Sequence, residues 1–397
     1  MKRLYVGIDS AKGRHECVLM DDMGNVICHV SAIPDTDNGM KRLYNAVDKA
    51  CDGYANVEVY YGIEATSIYH LPLYRQLVSD GKNVKLFNPY QVHNFRKLRI
   101  RKTKADSVDA EVIADMLRYD HMLDESVKAP TLSNLRELAR LRYRLVRKMS
   151  DNKRQICRAI DIIWPGYRNL FSEIWVATSI AVLEMYTTPA KLLEASEEEL
   201  CSLLRRSSKG RLGLEKAREL REHARHTLSV QPLNEVCVLE IKMLLDLNKR
   251  IEKHIERIDA QLKKHMTKLK SPLLTIPGIS ETLGAIILGE IGDIHRFHSA
   301  DALVAFAGLD PAIHQSGKRQ TAGLKISKRG PPLLRWALYQ AATVACRCNP
   351  VCKRVFNRAI ARGKHYKVAI VATARKLTRI IYSVLINNKP FYDPEKD

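Results

Sequence analysis

Two long rows of apolar residues limit what the middle of this chain can fold into. In each row the apolar residues recur at intervals of three and four, the spacing of one face of an α-helix. Such a face must be buried against a partner, so the rows predict two long helices in an antiparallel or intermolecular coiled coil. The rows are Leu135, Leu138, Leu141, Leu145, Met149, Ile156, Ile160, Ile163, and then Ile241, Leu244, Leu247, Ile251, Ile255, Ile258, Leu262.

The residues before the first row show a different pattern, in which β-rich runs come first and then alternate with helical ones. RLYVGID, HECVLMDD and NVICHVSA are typical of strands, with Met23-Gly24 at a hairpin between the last two. A helix over residues 39–51 and two more strands, VEVYYGIEA and NVKLFNP, follow. This order predicts a mixed α/β sheet with helices on its faces.

The chain of 397 residues has room for several domains, and the patterns divide it into three. We predict an α/β domain over residues 1–128, a coiled-coil region over 129–270 with a helical insert at about 166–232, and a mainly helical domain over 271–397. In the insert, Ser196 and Glu199 match a capping box. At the start of the last domain, LLTIPGISETLGAIILGEIG predicts a helix-hairpin-helix.

Positive charge dominates the composition, and it is unevenly distributed. The formal net charge is +21; residues 311–392 hold 17 Lys or Arg and no acidic residue, and residues 95–104 hold six. A large field of one sign attracts a polyanion, so nucleic acid is the expected partner. The expected contacts are Arg99, Arg101, Lys102, Lys104, Lys318, Arg319, Lys325, Lys328, Arg329 and Arg335.

Other features of the composition argue against a membrane or secreted protein. No apolar run is long enough to span a bilayer, and MKRLYVGIDS lacks the features of a signal peptide. The nine cysteines fit no disulfide framework, and Cys346, Cys348 and Cys352 lack a usual zinc spacing. We therefore expect reduced thiols, a cytoplasmic location and no membrane partner.

Four acidic residues stand where an open α/β sheet would place a metal site. Asp9 and Glu64 follow the apolar runs of two predicted strands, and such sheets bind ligands at strand ends. Asp106 and Asp109 are three apart at the start of a predicted helix, which puts them on one face. Carboxylates are the hard ligands that Mg²⁺ prefers, although each residue alone could equally cap a turn, favour a helix N-terminus or be solvated. Acids that we leave out of the set are Asp22, Glu58, Glu111 and Asp115.

One serine, Ser316, lies in the basic, glycine-containing segment IHQSGKRQTAGLKISKRG. A serine in such a loop is either a simple hydrogen-bond donor to a phosphate or a nucleophile. Cations and a metal ion near the phosphate would assist the second role by stabilising charge on its oxygens. A second serine, Ser327, stands between Lys325 and Lys328 and is interpreted as a helix N-cap or phosphate contact.

These segments together resemble one known family. YVGIDSAKGRHECVLMDDMGNVI, YYGIEAT, NPYQVHNFRKLRIRKTKADSVDAEVIADML, TIPGISETLGAIILGEIG and QSGKRQTAGLKISKRGPPLLRWAL are similar to the DEDD transposases of the insertion-sequence one-ten family. The resemblance runs through nearly the whole chain. It implies an RNase H-like, RuvC-type N-terminal domain and a C-terminal transposase domain. Two positions depart from the family pattern: Ser280 replaces a frequent glycine, and Pro331-Pro332 stand where an asparagine is frequent.

The resemblance also implies a mechanism and partners. Asp9, Glu64, Asp106 and Asp109 would be the DEDD set that holds Mg²⁺, and Ser316 would attack DNA to form a phosphoserine intermediate. Family members assemble into homodimers and homotetramers. They are guided by a structured noncoding RNA, the bridge RNA, which pairs with donor and target DNA in the prokaryotic cytoplasm.

Three other functions remain open from the residues alone. A RuvC-like nuclease would use the acids with water as the nucleophile, and would not need Ser316. A non-catalytic nucleic-acid-binding protein would need neither. YVGIDSAKG also resembles the start of an actin-like sugar kinase, but the missing second phosphate loop and the strong positive charge argue against that function.

Overall fold

The computed structural model describes residues 2–65, 68–97, 106–120, 130–228, 234–311, 315–316, 319–320 and 325–393. The chain divides into two compact units, Met1–Lys128 and Ala129–Asp397. Among the described residues, no helix is both long enough and apolar enough to cross a bilayer. The division of the second unit at residue 270 stays a prediction.

The first unit is a five-stranded sheet with helices packed against it, as the mixed α/β pattern predicted. Its elements are β1 (Arg3–Ala11), β2 (Arg14–Asp21), β3 (Val26–Ile33), α1 (Asp37–Cys51), β4 (Glu58–Glu64), α2 (His70–Ser79), β5 (Asn83–Phe87), α3 (Pro89–Arg96) and α4 (Asp106–Asp120). The strand order is β3-β2-β1-β4-β5; β1, β4 and β5 are parallel, while β2 is antiparallel to β1 and β3. This arrangement is consistent with an RNase H-like DEDD domain.

Both faces of the central strands are buried, and the period-two alternation of a strand explains how. Leu4, Val6 and Ile8 belong to a core that includes residues of α1 and α2. Tyr5 points to the opposite face and belongs to a second core with residues of α4. The hairpin expected between β2 and β3 is present, and Gly24 takes the positive φ of 92° that its turn requires.

The second unit is almost entirely helical. Its helices are α5 (Pro130–Ile163), α6 (Ala177–Met185), α7 (Pro189–Glu194), α8 (Glu197–Ser207), α9 (Leu214–His226), α10 (Asn234–Leu269), α11 (Glu281–Ile291), α12 (Ala300–Phe306), α13 (Pro332–Cys348), α14 (Pro350–Ala361) and α15 (Tyr366–Ile386), and its short strands are β6 (Gln315–Ser316) and β7 (Arg319–Gln320). The helices α6 to α9 share a core with the adjoining ends of α5 and α10. At the start of α8, the capping box of Ser196 and Glu199 is confirmed.

The two apolar rows lie on α5 and α10, which pack antiparallel within one chain. Early in α5, Arg142 forms two hydrogen bonds to Asp259 late in α10, at 2.5 and 3.1 Å. Later in α5, the buried Asn152 donates to Asn248 at 2.9 Å. A buried polar pair of this kind fixes the register of two helices, because any other register would leave both amides without a partner. Coiled-coil geometry and contacts between chains stay predictions.

The C-terminal part packs tightly around α11. A Cβ on Gly289 would lie 2.8 Å from the Cα of Arg136, so only glycine permits this crossing of α11 and α5. The next residue, Glu290, is buried and accepts two hydrogen bonds from Arg140 at 2.7 and 3.1 Å. The predicted helix-hairpin-helix is not confirmed. A short 3₁₀ helix, Pro272–Thr275, precedes the turn, and Gly278 in the turn packs against Ala345 of α13.

Candidate functional site

Asp9 and Glu64 lie side by side at one end of the sheet. Strands β1 and β4 are parallel and pair Gly7 with Gly62 and Ile8 with Ile63, so the next residues along are Asp9 and Glu64. Asp9 comes two residues after Gly7, and Glu64 comes two residues after Gly62. Because side chains along a strand alternate between the two faces, both acids point to the face on which the two glycines lie. Both residues are partly exposed. The register thus places two carboxylates next to each other at the carboxyl ends of parallel strands.

Helix α4 covers this face at unusually short range because of the two glycines. A Cβ on Gly7 would lie 2.1 Å from the carbonyl oxygen of Ala110 and 2.3 Å from the amide nitrogen of Ala114. A Cβ on Gly62 would lie 3.0 to 3.3 Å from side chains of Phe87, Ile113 and Leu117. The absence of side chains at Gly7 and Gly62 therefore leaves a groove in the sheet, and the backbone of α4 fits into it.

The direction of α4 puts its N-terminus beside the two carboxylates. Its last turn carries Arg118, whose guanidinium lies close to Gly24, in the turn that follows β2. That turn is at the amino end of β1, since Asp21 pairs with Leu4. The first turn of α4 therefore lies toward the carboxyl end of β1. The positive end of the helix dipole favours negative charge at that place.

Of the two acids of the predicted set that lie on α4, Asp109 is described in full. Its side chain is 13% exposed, and its Oδ1 lies 2.6 Å from Nη2 of Arg96, the last residue of α3. Asp106 is the first residue of α4, and its side chain lies outside the described part of the structure. A separation of three residues puts Asp106 and Asp109 on one face of the helix.

Glu16 and Arg96 are two charged neighbours that the sequence reasoning missed. Glu16 pairs directly with Asp9 across β1 and β2, and its Oε1 accepts a hydrogen bond from the Ala32 amide at 3.0 Å. The hairpin register was the signal that could have placed Glu16, because opposite residues of an antiparallel pair share a face. Arg96 was inside a recognised basic run, but only the fold shows that it meets an acid.

Among the described residues, this corner brings together several carboxylates, and Arg96 is the cation that contacts one of them. Burial raises the pKa of the Cys17 thiol, and the charges of Glu16 and Asp9 raise it further. Cys17 itself packs in the core on the other face of the sheet, with residues of α1 and α2. The raised pKa means that Cys17 stays a neutral, unreactive thiol at physiological pH.

The donor types fit a hard divalent cation, but the described side chains do not converge on one. No three His, Cys, Asp or Glu in the described part of the chain lie close enough to hold a metal ion. The side chain of Asp106 is not among those described. Carboxylate oxygens are the ligands that such a cation prefers, and in this structure Arg96 supplies positive charge to Asp109.

Three of the four acids left out of the set lie at the far end of the sheet or pair with a cation. Asp22 accepts from the Lys2 amide, and Glu58, the first residue of β4, bonds to Arg3 at 3.1 Å. Both are at the far end of the sheet. Asp115 bonds to Arg118 at 3.0 Å, and Glu111 is a partly exposed residue of α4.

Ser316 belongs to a short β-hairpin in the second unit. It ends β6 and pairs with Arg319 at the start of β7. The side chains of Ser316 and Arg319 lie outside the described part of the structure. Five of the predicted nucleic-acid contacts lie wholly outside it: Arg99, Arg101, Lys102, Lys104 and Lys318.

The basic segment 325–330 is anchored to the end of α12 by its backbone. Ser327 donates its amide to the Asp310 carbonyl at 2.8 Å, and Lys328 donates to Gly308 at 3.1 Å. Lys328 has a positive φ of 53°. These bonds fix the backbone, while the side chains of Lys325, Lys328 and Arg329 are exposed.

Ser327 and Arg335 have structural partners. The Ser327 hydroxyl hydrogen-bonds to the carboxylate of Asp310. The interpretation of Ser327 as a helix N-cap is wrong, since Pro331 occupies that position before α13. The Arg335 guanidinium donates to the carbonyl of Ala307 at 3.2 Å and so also ties α13 to the end of α12.

Comparison with known proteins gives a consistent result. The family model of DEDD transposases named for IS110, described as a transposase, matches residues 6–165, and the model described as transposase IS116/IS110/IS902 family matches residues 270–357. The chain is 25% identical to the uncharacterized 42 kDa protein of insertion element IS900 from Mycobacterium paratuberculosis, over 98% of this chain and 97% of that protein.

Two further relatives carry more specific names. A mini-circle putative transposase for IS117 from Streptomyces coelicolor is 26% identical over 82% of this chain and 80% of its own length. A pilin gene-inverting protein from Moraxella bovis is 24% identical over 98% of each chain. The first family model spans all four acids of the predicted set, and the second spans Ser316.

Proposed function

We propose that this chain, which belongs to the IS116/IS110/IS902 family of transposases, exchanges DNA strands through a phosphoserine intermediate. Ser316 is the proposed nucleophile, and Asp9, Glu64, Asp106 and Asp109 are the proposed Mg²⁺ ligands. The observation that carries the proposal is the juxtaposition of Asp9 and Glu64 with the end of α4 that holds the other two acids.

The proposed chemistry conserves phosphoester bonds. The Ser316 oxygen attacks a backbone phosphorus of DNA and loses its proton to solvent, while the bond from phosphorus to one sugar oxygen breaks and that oxygen leaves as a hydroxyl. A hydroxyl of the other strand then attacks the phosphoserine, restores a phosphodiester and releases the serine. Strands are exchanged without an external energy source. Mg²⁺, when bound, would stabilise negative charge on the phosphoryl oxygens.

A relative named for gene inversion favours this reaction over simple hydrolysis. Inverting a gene requires that strands be cut and also rejoined, and the pilin gene-inverting protein aligns with 98% of this chain. A RuvC-like nuclease using water would release cut ends and conserve no bond. The nuclease remains the alternative that the experiment below separates from the recombinase.

The proposed partners are donor DNA, target DNA, a bridge RNA and further copies of this chain. The exposed cations Lys325, Lys328 and Arg329 support a polyanionic partner. Four apolar side chains lie along one side of α10 and are 38 to 69% exposed. An exposed apolar row of this kind supports self-association, because binding to another chain would bury it. The four residues are Val236, Leu239, Met243 and Leu247.

The experiment that tests this function is covalent trapping. The full chain is incubated with Mg²⁺, the noncoding RNA of its element's flank, and end-labelled donor and target DNA, then run on a denaturing gel. We expect labelled protein from the wild type and none from Ser316→Ala or Asp9→Asn. Glu58→Gln is the matched control, because it removes an acid at the far end of the same sheet.

The outcomes separate the alternatives. Cleavage without an adduct, unchanged in Ser316→Ala but lost in Asp9→Asn, would identify a nuclease that uses water. Recombination that survives both substitutions would remove Ser316 and Asp9 from the reaction. A wild type that binds the DNA but neither cleaves nor joins it would have only a nucleic-acid-binding role.

A further inference from the structure

A groove of about 600 Å³ runs between the second half of α15 and the segment 389–393 that follows it. Its sides carry Lys376 and Arg379 from α15 and Lys389 from the following segment. Val384 and Phe391 supply apolar surface, and Tyr392 also lines the groove. None of these residues belongs to the acidic corner or to the Ser316 hairpin. The size is that of a site for a small molecule or for one or two units of a polymer.

The segment that carries Tyr392 is fixed on both sides of that residue. The amide of Phe391 donates to Oγ1 of Thr275 at 2.8 Å. Asp393 is buried and receives a hydrogen bond from Arg354 at 3.1 Å. Tyr392 is nevertheless 60% exposed. The fold therefore presents an aromatic side chain on a backbone that is held in place by its two neighbours.

The charge of the groove is positive after internal pairing is taken into account. Arg379 bonds to Asp301 through Nε at 2.8 Å and Nη2 at 2.7 Å, so that acid is already neutralised. Within the described part of the chain, Lys376 and Lys389 form no ion pair. Asp393, the next acid along the chain, bonds to Arg354, so Lys376 and Lys389 have no acidic partner among the described residues.

An exposed aromatic ring in a groove that also carries lysines matches the chemistry of unpaired nucleotides. A base with a free face can stack on an aromatic side chain, while the phosphates on either side meet the cations. A duplex keeps its base faces stacked inside and offers only its phosphates. An acidic peptide would use the lysines but would gain nothing specific from the ring.

We propose that this groove binds a single-stranded segment of nucleic acid, with one base on Tyr392 and phosphates at Lys376 and Lys389. The site goes beyond the proposed strand exchange and needs neither Ser316 nor the metal ligands. Its failure and the failure of the proposed function can therefore be told apart. Binding is measured in the full-length Asp9→Asn protein, which removes any cleavage of the probe.

The first measurement is fluorescence anisotropy with labelled single strands of twelve thymidines or twelve uridines, and a duplex of the same length. We expect Tyr392→Ala to weaken binding of the single strands about tenfold, with the salt dependence unchanged. Tyr392→Phe keeps the ring and should bind normally. Tyr54→Ala, at another exposed tyrosine (53%), is the control.

The second measurement is the dependence of affinity on salt. Neutralising two phosphate contacts with Lys376→Gln and Lys389→Gln should reduce the logarithmic salt slope for single strands by about 1.4. Lys364→Gln and Lys367→Gln remove two exposed lysines of the same basic region outside the groove, and are the matched control.

The location is checked by photo-crosslinking a strand that contains 5-iodouracil and mapping the adduct by mass spectrometry. We expect the adduct at Tyr392, with uridine or thymidine strands preferred according to whether the site reads a 2′-hydroxyl. The proposal is overturned if Tyr392→Ala binds like wild type, if it weakens duplex binding equally, or if a polyglutamate peptide displaces the strands.

Discussion

The acidic corner of the first unit and the basic segment 325–330 of the second are built in opposite ways. In the corner, residues far apart in sequence meet through a sheet register and a helix seated on two glycines. In the basic segment, backbone hydrogen bonds to Gly308 and Asp310 fix the main chain and leave the cations exposed. Side chains that bind a compact cation must converge, whereas side chains that meet an extended phosphate backbone need only stay in water and within reach.

This difference predicts that substitutions in the two regions fail in different ways. Loss of one carboxylate should stop chemistry and leave binding intact. Loss of exposed cations should weaken binding in a salt-dependent way and leave the chemistry of bound complexes intact.

The largest expected effect is that of Asp9→Asn on strand cutting. We expect a loss of more than about a hundredfold, because even outer-shell partners of a metal site typically contribute ten- to a hundredfold. Affinity for duplex DNA should not fall, since the substitution removes a negative charge. The rate is measured by quenched single turnover at saturating DNA. A variant that cuts at the rate of Glu58→Gln would remove Asp9 from the reaction.

The second effect concerns the glycine pair that seats α4. Gly7→Ala puts a methyl group against backbone atoms at 2.1 and 2.3 Å, which cannot move without shifting the helix. We expect it to lower the free energy of unfolding by about 3 kcal/mol. Gly62→Ala meets only side-chain atoms at 3.0 to 3.3 Å and should cost about 1 kcal/mol or less.

Urea unfolding followed by circular dichroism gives both values. Equal effects of the two substitutions would show that α4 can shift along the sheet, and that the acids on it are less firmly placed than the packing indicates.

Sequence patterns anticipated the local structure better than the charge pairing. The alternation of β1 and the register of its hairpin follow from period-two patterning and a positive-φ glycine. Asp9 lies beside Glu64 because β1 and β4 are parallel neighbours whose carboxyl ends are at the same level in the sheet. The ion pair between Arg96 and Asp109 does not, because the side chain that reaches a buried acid depends on how α3 and α4 pack.

The same limit applies to the second unit. The basic composition of residues 311–392 was plain in the sequence, but not which cations are already engaged. Arg335 holds a backbone carbonyl and Arg379 holds Asp301, whereas Lys376 and Lys389 line a groove. The sequence predicted Ser327 to be a helix N-cap or a phosphate contact. The N-cap of α13 is Pro331, and the Ser327 hydroxyl binds the carboxylate of Asp310. Local propensity gives candidates, and tertiary contacts decide among them.

The third effect concerns the exposed cations. Lys328→Gln with Arg329→Gln should reduce the logarithmic salt slope for duplex DNA by about 1.8, if each residue meets one phosphate. Preference among DNA sequences should not change, because phosphate contacts carry no direct sequence information. Lys41→Gln with Lys49→Gln, two exposed lysines of α1, is the control. An unchanged slope would mean that these side chains do not contact DNA.

The smallest expected effect concerns Arg96, the cation that the described residues show in the acidic corner. Arg96 lies 2.6 Å from Asp109, so a divalent cation must compete with a guanidinium already present. Removing that competitor with Arg96→Gln should raise the affinity for Mn²⁺ about fivefold, which corresponds to about 1 kcal/mol for a partly exposed ion pair. Arg118→Gln breaks the pair with Asp115 at the other end of the same helix and should leave the affinity unchanged. Electron paramagnetic resonance of free Mn²⁺ measures both without any nucleic acid. A loss of affinity in Arg96→Gln would instead make Arg96 a positioning residue, one that holds Asp109 in place for the metal, and the acidic corner would then be preorganised as firmly as the basic segment.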